Sequence, residues 1–285
     1  MMLVLTLVVR DEEDILDTNL SYHLRQGVDL ILVTDHHSQD GTPEILERWE
    51  GTGAVRVFRE DDDVHDQAAR VNRMVDLAVT EYGADWLIHA DADEFWWPAD
   101  GDLRTTLGTV PPEVSTVVAW RYNFVPRPPH PSATGPTSDP ATDSFAARMR
   151  WRMTRSETWD GKPMGRKVCH RAGPDLSIAM GNHSVEGLGG ELLDDARIEI
   201  LHFPWRSQAH LEQKVRNGGA ALERNTELDA GMGWHWRELW RRLQADGDLA
   251  SVWTQMCIDD EILGLAIDHG DVIADDRLVR ARRHR

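Results

Sequence analysis

Cysteine is scarce in this chain: Cys169 and Cys257 are the two it has among 285 residues. Two thiols cannot build a disulfide framework or a cysteine-based zinc site, and they suit a reducing, cytoplasmic setting. Long apolar runs are missing too. The apolar opening, residues 1–9, stops at Arg10-Asp11-Glu12-Glu13. That is too short to cross a bilayer, and no basic stretch precedes it as in a secretory leader. Positive charge is in deficit, with Lys+Arg 31 against Asp+Glu 49 and a formal net charge of −18. Such an excess repels nucleic-acid phosphates and anionic lipid heads, which argues against general binding of either. Hydrophobic residues make up 41% of the chain, too much for a disordered segment. The length exceeds the usual ~100–200 residues per domain, yet single α/β domains reach it and bury a sizeable core.

What is present is an alternation of strand and helix patterns over the first 120 or so residues. Residues 3–9, 29–34, 54–58, 86–90 and 115–121 read as strands, and the first of these as a buried parallel strand because it is continuously apolar. Residues 12–26 read as a helix, with Leu16, Leu20 and Leu24 on one face and Gly27 as a stop. Thr42 and Pro43 open a second helix, proline being suited to a first helical turn. Val64, Ala68, Val71, Val75 and Ala78 mark a third. This order predicts βαβ units and a mostly parallel sheet covered by helices, with ligands beyond the carboxyl ends of its strands. After Tyr122 the pattern breaks. Residues 126–140 hold six of the thirteen prolines and read as a loop of the kind that forms lids or binding sites. Residues 148–153 and 197–203 read as strands. Residues 207–215 and 220–225 read as helices separated by Gly218-Gly219, and 234–245 and 249–267 as further helices. Residues 277–285 form a basic tail. The expected organisation is a nucleotide-side half at 1–122, an acceptor-side half at 123–206 and C-terminal helices at 207–285, within one structural domain.

Asp91-Ala92-Asp93-Glu94 follows the strand 86–90. Alternate side chains share a face if the extended backbone persists, which would set Asp91 and Asp93 side by side. Paired carboxylates repel unless a cation lies between them, and oxygen ligands suit Mg²⁺ or Mn²⁺. The alternative is an acidic surface turn. Asp35 ends the second strand, where it can accept hydrogen bonds from a base or ribose; Ser38, Asp40 and Gly41 supply turn and capping chemistry and fit a plain connector equally well. Lys162, Arg166 and Lys167 are a basic cluster that can meet a diphosphate or an anionic acceptor, or form a solvated face. Gly181-Asn182-His183-Ser184 offers His183 to a metal or an acceptor. Trp96, Trp97, Trp151, Trp159 and Trp205 are candidates for stacking on sugar, with the core as the default for each.

Taken together, Val8-Val9-Arg10-Asp11-Glu12-Glu13, Tyr22-His23, Gly27-Val28-Asp29, Asp35-His36-His37-Ser38-Gln39-Asp40-Gly41-Thr42 and Trp86-Leu87-Ile88-His89-Ala90-Asp91-Ala92-Asp93-Glu94-Phe95 resemble family 2 glycosyltransferases. The likeness is to the bacterial branch whose first helix carries Tyr-His and whose metal motif ends in Asp-Glu-Phe. It covers residues 3–100 and extends weakly to His202-Phe203-Pro204-Trp205-Arg206-Ser207, where Phe203 replaces the commoner tyrosine. The resemblance implies a GT-A fold, an α/β Rossmann-like sheet flanked by helices with a helical C-terminal region. It also implies a nucleotide-sugar donor, usually UDP-linked, with Mn²⁺ or Mg²⁺. By position, Val9, Arg10 and Asp11 would border the nucleotide, and Asp35 would contact the base. Gln67, Arg70 and Asn72 would line the donor site. Asp91 would reach the ribose or a metal-bound water, Asp93 would bind the metal, and His202 would complete its shell.

The expected activity is inverting transfer of a sugar to an acceptor hydroxyl. Inversion needs a general base. Asp143, Glu157, Asp160 and Glu186 lie in the half expected to hold the acceptor, and Asp160 and Glu186 lead because they flank the basic cluster and the Gly-Asn-His segment. Lys167 is the member of that cluster expected at the diphosphate. A metal-dependent phosphoester or nucleotide hydrolase, and a silent nucleotide-sugar-binding module, are the alternatives.

Overall fold

The computed structural model describes residues 1–60, 66–128, 145–158, 161–224 and 234–283, without the side chains of 220–224, 234–236 and 282–283. Its described elements, in chain order, begin with β1 (Leu3–Val9), α1 (Leu16–Arg25), β2 (Leu30–His36), α2 (Thr42–Glu50), β3 (Val55–Glu60) and α3 (Gln67–Thr80). There follow β4 (Trp86–Ala90), β5 (Glu94–Pro98), α4 (Leu103–Gly108), β6 (Val114–Asn123), α5 (Phe145–Arg148) and β7 (Trp151–Met153). Next come β8 (Lys167–Arg171), β9 (Ser177–Ile178), β10 (Val185–Glu186), β11 (Glu191–Leu193) and β12 (Ile198–His202). The last are α6 (Gln208–Arg224), α7 (Trp234–Asp246), α8 (Ala250–Met256), α9 (Asp260–Asp268), β13 (Val272–Ala274) and α10 (Arg277–Arg283). They fall into two compact units. One comprises Met1–Asp62, Asp66–Asn123 and Ser156–His202; the other includes Phe124–Arg155 and Phe203–Arg285.

The first unit is a mixed α/β body around one nine-stranded sheet of order β3-β2-β1-β4-β8-β6-β12-β5, with β11 also on β6. β3, β2, β1 and β4 are mutually parallel, as the alternating pattern predicts. Their residues are almost wholly buried in β1, β2 and β4, which is why they read as unbroken apolar runs rather than alternating ones. Helix α3 packs Val71, Met74, Val75 and Ala78 on Val4, Leu30, Leu32 and Leu87 of the sheet. These helix positions are three or four apart, the spacing of one helical face.

Three strands of this sheet, β5, β8 and the short β11 paired with β6, escape the sequence pattern. β8 runs antiparallel between β4 and β6; the sequence marks only its first residue, Lys167, as one of a basic cluster, because the polar residues of the strand are buried against partners far away in sequence. β5 runs antiparallel to β12, placing Glu94 opposite His202. Residues 156–202, placed with an acceptor-side half by sequence, therefore pack into the first unit. The helix expected over 12–26 begins only at Leu16, since Glu12 instead accepts Ile15 and Leu16 N–H in a tight turn.

In the second unit β7 and β13 form a small antiparallel ribbon. Val125, Met153, Ile258, Leu263, Ala266 and Val272 make one core cluster, with Trp151 against it. Leu211, Val215, Leu243, Leu249, Val252 and Trp253 make another, flanked by Trp205 and Trp240. The break expected at Gly218-Gly219 is not there: α6 is continuous through it. A Cβ on Gly219 would lie 2.5 Å from Cβ of Trp240, so the glycine serves the close approach of α7 rather than ending a helix. The helix expected over 249–267 is instead two. Cys257 is extended, Ile258 N–H donates to Pro126 O, and Asp259 caps α9 by accepting Ile262 N–H at 2.8 Å. The residues 277–283 of the basic tail are helical, with Leu278 buried. The segment 129–144, holding most of the proline-rich loop together with Asp143, and also Trp159 and Asp160, lies outside the described residues.

Candidate functional site

Because β1, β2 and β4 are parallel neighbours, their carboxyl ends share one edge: Asp35 lies opposite Val9, and Ala90 opposite Leu7. The chain steps outward from β1 to β2 to β3 and then returns to β4 on the other side of β1. That reversal opens the crevice where ligands of such sheets bind. The turn after β1 is fixed at Asp11, which is buried with φ of 55°. Its N–H donates to Ser38 Oγ (3.0 Å), and its carboxylate accepts Gln39 N–H (2.6 Å). Asp35 Oδ1 accepts Ser38 N–H at 3.2 Å. Thr42 Oγ1 accepts Glu12 N–H, and Asp40 accepts from Glu13 and Thr42 N–H. The β1 and β2 loops are thus laced into one rim, with Val9, Arg10, Asp11 and Asp35 along it.

Asp91, Ala92 and Asp93 are not extended. Glu94 N–H donates to Asp91 O at 3.0 Å, closing a turn that sends β5 back toward β12. The alternation that would have set the two aspartates side by side is therefore lost, and their contacts diverge. The outer flank of this turn is held by side chains of α1. Asn19 Nδ2 donates to both Ala92 O and Glu94 O, each at 2.9 Å. Tyr22 OH donates to Trp96 O at 3.0 Å, and His23 Nε2 accepts Trp96 N–H at 3.3 Å. The helix thus supplies the polar partners that β5 would otherwise find in another strand. His23 donates from Nδ1 to Asn19 O and Oδ1, so the ring is neutral with its proton on Nδ1. Burial pushes its pKa down to about 3, against a weaker upward pull from the Asn19 carbonyl.

Asp91 is bound on both oxygens. Gln67 Nε2 donates to Oδ1 at 3.1 Å, and Lys167 Nζ donates to Oδ2 at 2.6 Å. The same ammonium lies 2.7 Å from Glu94 Oε2. Lys167 and Glu94 are fully enclosed, while the Asp91 side chain is 34% exposed. Lys167 thus sits against the acidic turn rather than at an exposed position on the rim. Burial works to lower its pKa, but Asp91 and then Glu94 outweigh it and hold the group up as an ammonium. Burial raises the pKa of Glu94, with Lys167 opposing. Arg121 Nη1 lies 3.6 Å from Glu94 Oε1.

Asp93, also buried, has Oδ1 3.6 Å from His202 Nε2. His202 reaches it because β12 lies between β6 and β5. Its Nδ1 is 2.6 Å from Asn123 Oδ1, and Asn123 Nδ2 donates to Glu157 O at 3.3 Å. That second bond orients the Asn123 amide so that Oδ1 accepts, which puts the His202 proton on Nδ1 and, in the neutral ring, a lone pair on Nε2 facing Asp93.

Behind the turn lies a buried chain of hydrogen bonds. His170 Nδ1 faces Arg171 O at 2.8 Å, so it donates; its Nε2 then accepts from His89 Nε2 at 2.8 Å, and His89 Nδ1 accepts from Thr6 Oγ1 at 2.7 Å. Both rings are neutral. Burial lowers His170 to about 4 and His89 well below the ordinary range.

No protein-family model matches this chain, and no curated protein matches it in sequence. Similar folds occur among solved structures. TarS of S. aureus is 11% identical with a TM-score of 0.42, over 85% of this chain and 44% of the TarS chain. A mannosyltransferase of Pyrobaculum calidifontis in complex with GDP-Man and Mn2+ is 16% identical with a TM-score of 0.40, over 94% of this chain and 79% of that one. Glucosyl-3-phosphoglycerate synthase of Mycobacterium tuberculosis, in complex with Mn2+ and UDP, is 18% identical with a TM-score of 0.31, over 42% of this chain and 44% of that one. This chain therefore spans less than half the length of the TarS chain and of the synthase.

The remaining sequence candidates lie as follows. Arg70 is buried and bonds Glu60 Oε2 through Nε at 2.6 Å, while Arg73 pairs with the other Glu60 oxygen. Asn72 grips the backbone of Ile178, accepting its N–H at 2.7 Å and donating to its O at 3.2 Å, so it ties β9 to α3. His183 is exposed, with Nδ1 on Arg166 O at 2.7 Å. Glu186 is exposed on the β9–β10 hairpin. Trp96 is core, and Trp97 stacks on Tyr22. Asn19, Asn123 and His170 are not marked in the sequence as site or supporting residues, and Glu94 and His89 are marked only as members of the motif around Asp91 and Asp93. Only the type of Asn19, one turn before His23 on a helix, could have flagged a backbone clamp.

Proposed function

We propose that this chain is a GT-A glycosyltransferase of family 2 that moves a sugar from a UDP-linked donor to an acceptor hydroxyl with inversion. The observation carrying this reading is that the Val9–Asp11 turn, Asp35 and the Asp91–Asp93 turn all border the strand-order reversal beside β1. A nucleotide laid across that reversal meets Asp35 with its base and the turn after β1 with its ribose. Its diphosphate then reaches the turn after β4.

A divalent ion fits Asp93 and His202. A carboxylate oxygen and a ring lone pair 3.6 Å apart suit two ligands each about 2.1 Å from one cation. Among the described residues no group of three or more His, Cys, Asp or Glu is placed to hold a metal. When bound, the ion would neutralise charge on the departing diphosphate. The protein's own part is to hold those ligands. Asn123 fixes the His202 tautomer, and Asn19, Tyr22 and His23 fix the backbone that carries Asp93. The acceptor base falls to Asp160 or Glu186 in this reading.

The test is incubation with a panel of UDP- and GDP-sugars and Mn²⁺, following nucleotide release. Release of UDP from one UDP-sugar, with plain nucleotides left intact, supports the assignment. Cleavage of plain nucleotides in its place would establish a hydrolase, and binding without turnover, with an acceptor panel supplied, a silent module.

A further inference from the structure

Lysine is rare in this arginine-rich chain: Lys162, Lys167 and Lys214 are its three. One of the three is sealed inside the acidic turn. Lys167 Nζ takes one oxygen from Asp91 and one from Glu94, at 2.6 and 2.7 Å, with 1% of its side chain exposed. A compact ammonium with three rotatable donors meets both oxygens from a single point. The other Asp91 oxygen is occupied by Gln67. The charge balance is equally plain. Asp91, Asp93 and Glu94 carry three negative charges at most, and Lys167 and Arg121 carry two positive ones, so the turn offers a cation no more than one net negative charge.

We propose that Lys167 is the built-in counter-cation of this turn. It commits Asp91 to an ammonium and leaves Asp93 and His202 as the protein ligands of any divalent ion. Lys167 is then a positioning residue that acts through Asp91 and Glu94, and it limits how tightly the turn binds metal. The inference rests on the proposed function only in taking this turn as the diphosphate end of the site.

The experiment uses Mn²⁺ alone as the probe, read by electron paramagnetic resonance of the full chain with no nucleotide or activity involved. Asp91→Asn in the otherwise native protein should weaken Mn²⁺ binding only a few-fold, through the charge it removes beside Lys167, while Asp93→Asn, which removes a ligand, should weaken it about ten-fold or more. Lys167→Met should unmask Asp91 and tighten Mn²⁺ binding about ten-fold, a gain that Lys167→Met/Asp91→Asn loses again. A ten-fold loss in Asp91→Asn alone, or unchanged affinity in folded Lys167→Met, would overturn the proposal. If Lys167→Met does not fold, the Asp91→Asn comparison decides by itself. Separate UDP titration of the same variants reports on the transferase reading, so the two can fail independently.

Discussion

Removing the Asn19 side chain is the most direct probe of how the acidic turn is held. Asn19 is fully buried, and its Nδ2 serves two carbonyls, Ala92 O and Glu94 O, at 2.9 Å each. Asn19→Ala strands both acceptors away from water, at about 1–3 kcal/mol apiece. It also takes away one of the two acceptors of His23 Nδ1. The expected loss is about 2–6 kcal/mol, a large share of a typical stability of ~5–15 kcal/mol. Urea unfolding followed by tryptophan fluorescence measures it, as a lower midpoint with unchanged slope. Asn19→Asp sharpens the test. It has the same shape but puts an oxygen where the donor was, facing two carbonyl oxygens. It should cost at least as much as alanine at pH 7 and recover as the pH falls and the carboxyl is protonated. A loss under about 1 kcal/mol in Asn19→Ala, or an aspartate variant as stable as wild type at pH 7, would refute the clamp.

Three other outcomes are expected. Asp35→Asn should weaken UDP binding about ten- to a hundred-fold in calorimetry, the worth of one charge-assisted hydrogen bond, with little change in melting temperature; equal affinity would remove Asp35 from the base site. The buried neutral rings make stability acid-sensitive. His23 and His170 have folded pKa values of about 3 and about 4, below the unfolded 6.5, so only the unfolded chain takes up those protons as the pH falls. Their contribution is complete above pH 6.5 and is lost toward those lower values, at about 1 kcal/mol per pH unit for each ring; a urea midpoint flat from pH 7 to 4.5 would contradict this. Gly219→Ala should destabilise the second unit by about 1–3 kcal/mol through overpacking against Trp240, more than the ~1 kcal/mol that alanine gains as a helix former; a raised melting temperature would show that α7 yields instead.

Where side chains meet near neighbours or bury uniformly, the sequence was enough. The apolar runs 3–9, 29–34 and 86–90 mark interior parallel strands because both faces are covered, and that alone puts Asp35 and Asp91 at strand ends. The four-three spacing of Val71, Val75 and Ala78 marks α3 for the same reason. Lys167 and β8 were opaque. A strand containing a lysine, a histidine and an arginine looks like surface until Asp91, Glu94 and His89 are known to lie beside it.

The amino-acid order by itself determined which residues stand at the rim of the sheet, since strand ends follow from local hydrophobic pattern. Only the tertiary structure decided what those residues do there. Whether Asp91 faces a metal or an ammonium depends on β8 being inserted next to β4, and whether His202 reaches Asp93 depends on β12 pairing with both β6 and β5. Those pairings join segments some 75 to 110 residues apart, and no local pattern encodes them. They are set by the packing of the whole sheet.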